Sequence, residues 1–225
     1  MRAVALLLLA AQPLAGQSVR ARLEGRVPAS SVSAIDSLVQ VAAAEHLPTE
    51  ALVQKAIEGG AKHVSGDRIV KAVVLNLDQY RQAQALLVRA GAVPPVTPSE
   101  VAAVVSAGKR GLGAPVVERI VAAVPDDHRG SALHAVADLV AHQFDPDSAT
   151  ELILEGARQG MQGLRLLDVS SAAIQEVQRG RSRAEALAAI RSALPNVPAA
   201  PAPGRAAVQR ARRPVAVTGR EPSQP

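Results

Sequence analysis

The chain has 225 residues, 48% of them hydrophobic, a net charge of +5 and no cysteine. That length suits one ordinary domain or two small ones. The missing cysteine excludes disulfides, thiol catalysis, zinc ribbons and iron–sulfur clusters.

Aromatic residues are reduced to Tyr80 and Phe144. A core must therefore be built from Ala, Val and Leu, with each buried Val or Leu contributing about 1.5–3 kcal/mol. Few segments alternate apolar and polar residues with β-branched enrichment, so strand signals are weak. The expected fold class is all-α.

Residues 1–16 read as a secretory signal peptide. Arg2 supplies the charge, Ala3 to Ala11 form an unbroken apolar run, Pro13 ends it, and the small residues Ala15 and Gly16 follow. The run is about half the roughly 20 residues a membrane-spanning helix needs. No cysteine follows for lipid attachment. The expected compartment is periplasmic or extracellular, with no transmembrane segment left after signal removal.

Residues 17–29 are expected as a linker, and 30–194 as one body of eight or nine stacked helices. Within it three segments align: Leu47–Val73, Thr97–Val124 and Asp145–Val169. They share the prolines Pro48, Pro98 and Pro146 and the glycines Gly59, Gly108 and Gly156. The strongest match sets Asp67–Val73 against Glu118–Val124, both carrying Arg-Ile-Val and ending in Ala-Val. This predicts stacked helical repeats of about 50 residues, in three degenerate copies.

Proline suits the first helical position, whose N–H has no intrahelical partner. Thr97 and Glu100 have capping-box spacing, and Asp145 offers an acidic cap. Leu47 gives the first copy a weaker start. The glycines, with Lys109, Arg110 and Arg158, are expected to end helices. A second helix follows with Ile69, Val70, Val73 and Val74 on one face.

Third helices are expected at Ala132–Phe144 and Ser182–Leu194, and in the first copy as an extension of the second helix through Ala90. Ser33–Leu47 matches Ser131–Asp145 at an offset of 98, as an N-terminal capping helix.

The pattern Glu58-Gly59, Lys62, Val64, Arg68-Ile69-Val70 and Ala72-Val73 resembles that of uncharacterised exported α-helical proteins of GC-rich bacteria. The resemblance spans residues 47–90 and implies no activity, cofactor or site residue. An Arg to Lys ratio of 21 to 4 agrees with such a genome.

Charge is unevenly placed. Gln17–Leu194 carries 19 basic and 19 acidic residues, while the tail, 195–225, carries Arg205, Arg210, Arg212, Arg213 and Arg220 against Glu221 alone. Seven prolines in that tail predict a disordered segment. Its arginines could contact an anionic membrane or cell-wall surface. It has no aromatic residue to stack on a base, so nucleic acid is not an expected partner.

The one metal candidate is His134, Asp138 and His142, spaced four apart on one helix face. Eight residues of helix rise about 12 Å, too far for both imidazoles to share an ion readily. This face is expected to be wet, opposite Leu133, Ala137, Val140 and Phe144. Gly108–Gly113 lacks the strand and the ending of a phosphate loop. Asp145-Pro146-Asp147 lacks the glycine and glutamate of a calcium loop. Glu58 and Glu155 occupy matching positions without a reason to meet.

No catalytic motif and no cofactor site emerges. The sequence favours a non-enzymatic exported scaffold or adaptor that binds another envelope protein. The alternatives are a surface protein tethered by its tail and, third, a metal-assisted hydrolase at His134.

Overall fold

A computed structural model describes residues 18–194. The expected signal peptide and the tail, with Arg205, Arg210, Arg212, Arg213 and Arg220, lie outside the described residues. Among those described, every regular element is helical, in ten helices. The described residues divide into two compact units, 18–106 and 107–194.

The first unit holds α1 (Val19–Leu23), α2 (Ala29–Ala44), α3 (Thr49–Ala61) and α4 (Gly66–Arg89). The helix α5 (Pro98–Lys109) spans the division. α2, α3 and α4 pack on one another, and α1 lies against α2 and α3. α4 buries Ile69, Val73, Leu77, Tyr80, Ala83 and Leu87, a stripe at three- and four-residue steps that faces the core. Val73 is thus inward, whereas Val74, expected on the same face, is exposed. α4 is one continuous helix capped at Ala90, as its sequence predicts.

Residues 17–29, expected as linker, contribute α1 and the fully buried Leu23. Arg22 donates two parallel hydrogen bonds, of 2.6 and 2.7 Å, to the Glu50 carboxylate on α3. These bonds hold the Glu50 carboxyl down at about 2. The α1–α2 connection runs so close to α3 that a Cβ on Gly60 would lie 1.8 Å from the Arg26 carbonyl oxygen. Only glycine permits that approach.

The second unit holds α6 (Ala114–Ala123), α7 (Asp126–Ala141), α8 (Pro146–Arg158), α9 (Leu164–Gln178) and α10 (Arg183–Ala193). α7 is central, packing against α6, α8 and α9. It buries Ala132, Leu133, Ala135, Val136, Ala137 and Leu139, and its small side chains allow close approach on several sides.

α7 starts six residues before the expected Ala132. Pro125 stands at its N-cap, and Asp126 and Asp127 favour the positive end of the helix dipole. The buried Arg129 explains the rest. Its Nε donates to the Val124 carbonyl at 3.0 Å and its Nη2 to the Val121 carbonyl at 3.2 Å, closing the end of α6. Asp126 pairs with the same guanidinium at 2.6 Å.

One device ends most of the helices. After α2, α3, α4, α5, α7, α8 and α9 comes a residue with left-handed φ: His46, His63, Gly91, Gly111, Gln143, Gly160 and Gly180. The next N–H donates back across the turn, Leu47 to Ala42 at 2.8 Å, Val64 to Gly59 at 3.0 Å, Leu112 to Ala107 and Phe144 to Leu139 at 3.1 Å, and Met161 to Gly156 at 3.0 Å. This is the Schellman turn, which satisfies terminal carbonyls and folds an apolar residue onto the helix end. Leu47, Ala92, Leu112, Phe144 and Met161 are all buried there.

The expected glycines stand at these helix ends without taking the left-handed position themselves. Gly59 and Gly156 sit inside their helices and offer carbonyls to this bond, while the left-handed position is one turn further on.

The starts match expectation more closely. Thr97 and Glu100 form a reciprocal capping box, and Asp145 accepts from the Ser148 N–H at 2.9 Å. Pro48 has no side-chain cap bond and stands one residue before its helix. Ser182 and Glu185 form a further capping box.

The left-handed position gives opposite signs for two kinds of substitution. A Cβ on Gly160 would meet nothing within 4 Å, so Gly160→Ala should cost only its backbone strain, about 1 kcal/mol. His63→Gly and Gln143→Gly should each add roughly 0.5–1 kcal/mol, because glycine carries no such penalty. Urea denaturation reads both. A destabilised His63→Gly would show that its side chain matters more than its backbone angle.

Candidate functional site

The described residues hold an apolar groove of about 790 Å³ on the first unit. Its floor is the outer face of the last turns of α4, with Arg81, Gln84, Ala85, Val88 and Arg89. Its far wall is Pro94, Pro95 and Val96, and His46 closes one end.

Local chemistry explains the wall. Gly91 ends α4 in the left-handed conformation, and Ala92 is buried beneath it. Val93 and Pro94 each precede a proline and are steered away from helix. Val96 is buried, and Thr97 caps α5. Ala92 and Val96 thus anchor a short extended segment whose prolines stand beside α4. Val88 and Val93 remain exposed, Val93 at 75% of its surface.

The polar side is basic. Arg81 grips the Glu45 carboxylate with two bonds of 2.7 Å and reaches Asp78 at 3.3 Å, which holds the Glu45 carboxyl below its ordinary value. Gln84 donates to the Glu45 carbonyl at 3.1 Å. Arg89 takes part in no ion pair among the described residues, and no lining residue is a carboxylate. The net sign is positive.

The sequence-level metal candidates are arranged otherwise. His134 and Asp138 lie half-buried on α7, and His142 is exposed at its C-cap. The expected wet face is partly covered, because α7 is central to its unit. Arg110 sits 3.9 Å from Asp138. Burial pushes the His134 imidazole below its ordinary value, and Arg110 adds to that shift. The His142 Nδ1 lies 2.9 Å from the Asp138 backbone carbonyl oxygen, turned to its own helix end. Among the described residues no three His, Asp or Glu side chains gather as a metal would require.

Glu58 is paired with Lys55 and Lys62, and Glu155 with Arg191 at 2.8 Å. Gly108 lies in the last turn of α5, Arg110–Gly113 form the α5–α6 turn, and Asp145 is a helix cap. No described helix is long and apolar enough to cross a membrane.

No family model, curated protein or solved structure matches this chain.

The groove escaped the sequence reading because exposure of Val88 depends on which face of α4 packs inward. The Pro94-Pro95 pair, just past Gly91, was the available signal: it forces an extended segment beside a helix end.

The unfolded chain, with a histidine of ordinary value 6.5, takes up a proton before folded His134 does. Stability from this residue is therefore lost as pH falls below about 6.5. An NMR titration should place the His134 midpoint below 6.5 and move it upward in Arg110→Ala. A midpoint above 6.5 contradicts this environment.

Proposed function

We propose that the protein is an exported, non-enzymatic helical adaptor that binds another envelope protein. The observation that carries this reading is the apolar groove beside α4, with Ala85, Val88, Pro94 and Pro95 open to solvent. Exposed valines beside an open groove of this size are a feature of recognition surfaces. Arg81 and Gln84 are engaged in holding the fold, Arg89 stands as a lone guanidinium and His46 as a single imidazole, and none is paired as nucleophile and base.

The repeat belongs to the same proposal. α3 and α8 have 13 residues each and α5 has 12, and each ends in a Schellman turn. A longer correspondence supports it at a spacing of 97 rather than 98. His46 and Gln143 are both left-handed. Leu47 and Phe144 both fold onto helix ends, Gly59 and Gly156 both accept across the turn, and Ile69 and Leu166 are both buried. Helical repeats of this sort offer extended surfaces to partners.

A second reading is favoured by charge placement. Residues 17–194 balance 19 basic against 19 acidic residues, so attraction to an anionic envelope surface would fall to the tail. The two readings need not exclude each other.

A photo-crosslinking residue in place of Val88 should capture one discrete protein in the envelope of the producing cell. The same residue in place of Glu118 on α6 should not. Equal capture from both positions, or none from either, contradicts the adaptor. Deleting 195–225 should leave the Val88 crosslink in place while reducing retention on the envelope; unchanged retention removes the tether.

A further inference from the structure

The groove is one end of a longer exposed seam. On α4, Val74, Asp78, Arg81, Ala85 and Val88 recur at intervals of four, three, four and three, so they share one face. That face lies directly beside the buried stripe, on the side turned to α2, because Glu45 at the end of α2 reaches Arg81 and Gln84. One turn earlier on α2 stands Val41, which is exposed, and before it the half-buried Leu38. Val41, Val74 and Val88 are three of the six large apolar side chains that stand exposed among the described residues. The Glu45–Arg81 pair crosses the seam between them. From Val74 to Val88 the seam runs about 21 Å, the length of a helix of about 15 residues.

We propose that this seam receives an amphipathic helix of the partner, apolar at every third or fourth position and acidic in its first turn. The inference rests on the adaptor reading and names the partner's chemistry. Spacing and length argue for a helix laid in the seam, the mode in which regularly spaced anchors fill an apolar groove.

Charge sets its sign and direction. The α4 end of the seam has Arg89 and His46 and no carboxylate in the groove lining, while Arg81 is already held by Glu45. A carboxylate on the partner there would meet Arg89, the lining guanidinium that has no ion pair among the described residues. Acidic residues are most favourable in the first turn of a helix. The partner's N-terminal turn therefore lies over Arg89, and the helix runs antiparallel to α4.

The probe is a fluorescein-labelled helical peptide of about 15 residues, made of alanine, leucine and glutamine. Leucines stand at every third or fourth position and glutamates fill its first turn. A twin carries lysines in place of the glutamates. Fluorescence anisotropy with the mature full-length chain should show saturable binding, at least about tenfold tighter for the acidic probe. Arg89→Glu should reverse that order. Val88→Asp should abolish binding of both, with circular dichroism and thermal midpoint unchanged.

No saturable binding to the wild-type chain overturns the inference, as does a preference that Arg89→Glu leaves untouched. Sedimentation decides one rival: a dimer that Val88→Asp dissociates assigns the seam to a second copy and also overturns it. If Val88 crosslinks a partner in cells while the probe fails, the adaptor stands and only this chemistry falls.

Discussion

A left-handed residue followed by an inward-folded apolar side chain is what the rest of the structure depends on. Helices of 10–16 residues gain little from propensity alone and are stable only when packed. Packing several of them in sequence requires the chain to reverse within a few residues while satisfying the terminal carbonyls. The Schellman turn does both. The residue after the left-handed one also becomes part of the core, so that Leu47, Leu112, Phe144 and Met161 seal the ends of the helices they follow. Phe144, one of only two aromatics, is spent there and not in a helix.

The composition makes sense on that footing. A core of Ala, Val and Leu has little area per residue and must recover it by close approach. Gly60 lets the α1–α2 connection touch α3. The alanines of α7 let neighbours close on it from several sides. Arg129 closes the end of α6 with a buried guanidinium, and paired with Asp126 it avoids the cost of an isolated buried charge. The remaining ion pairs are mostly exposed ties such as Arg22 with Glu50 and Arg81 with Glu45, of modest individual value. Arg81 also fixes the α2–α4 seam and leaves Arg89 as the charge that faces outward.

Much of the fold was legible, for local reasons. The capping box at Thr97, the Asp145 cap and the uninterrupted α4 all depend on neighbours in sequence. The α7 start was missed because its reason is tertiary: Arg129 reaches back to carbonyls of the preceding helix. α1 was missed because five residues carry no periodic signal, and it is held by Leu23 burial and by Glu50. Gly59, Gly108 and Gly156 do stand in the last turns of α3, α5 and α8, but the left-handed residues that follow are His63, Gly111 and Gly160, and of these His63 is a residue that does not announce that conformation. The groove was not legible, since which valines of α4 stay outside is decided by α2 and α3.

The most direct test is hydrogen exchange at the amides that close these turns. Leu47, Val64, Ala92, Leu112, Phe144 and Met161 all lie outside helices, yet each donates to a helix-end carbonyl. Resolved by NMR, they should exchange as slowly as amides in the body of the preceding helix, while exposed neighbours such as Val93 and Asp147 exchange at rates near those of an open chain. Fast exchange at Leu47, Phe144 and Met161 within protected helices would mean the turns do not hold the units together, and would contradict the account.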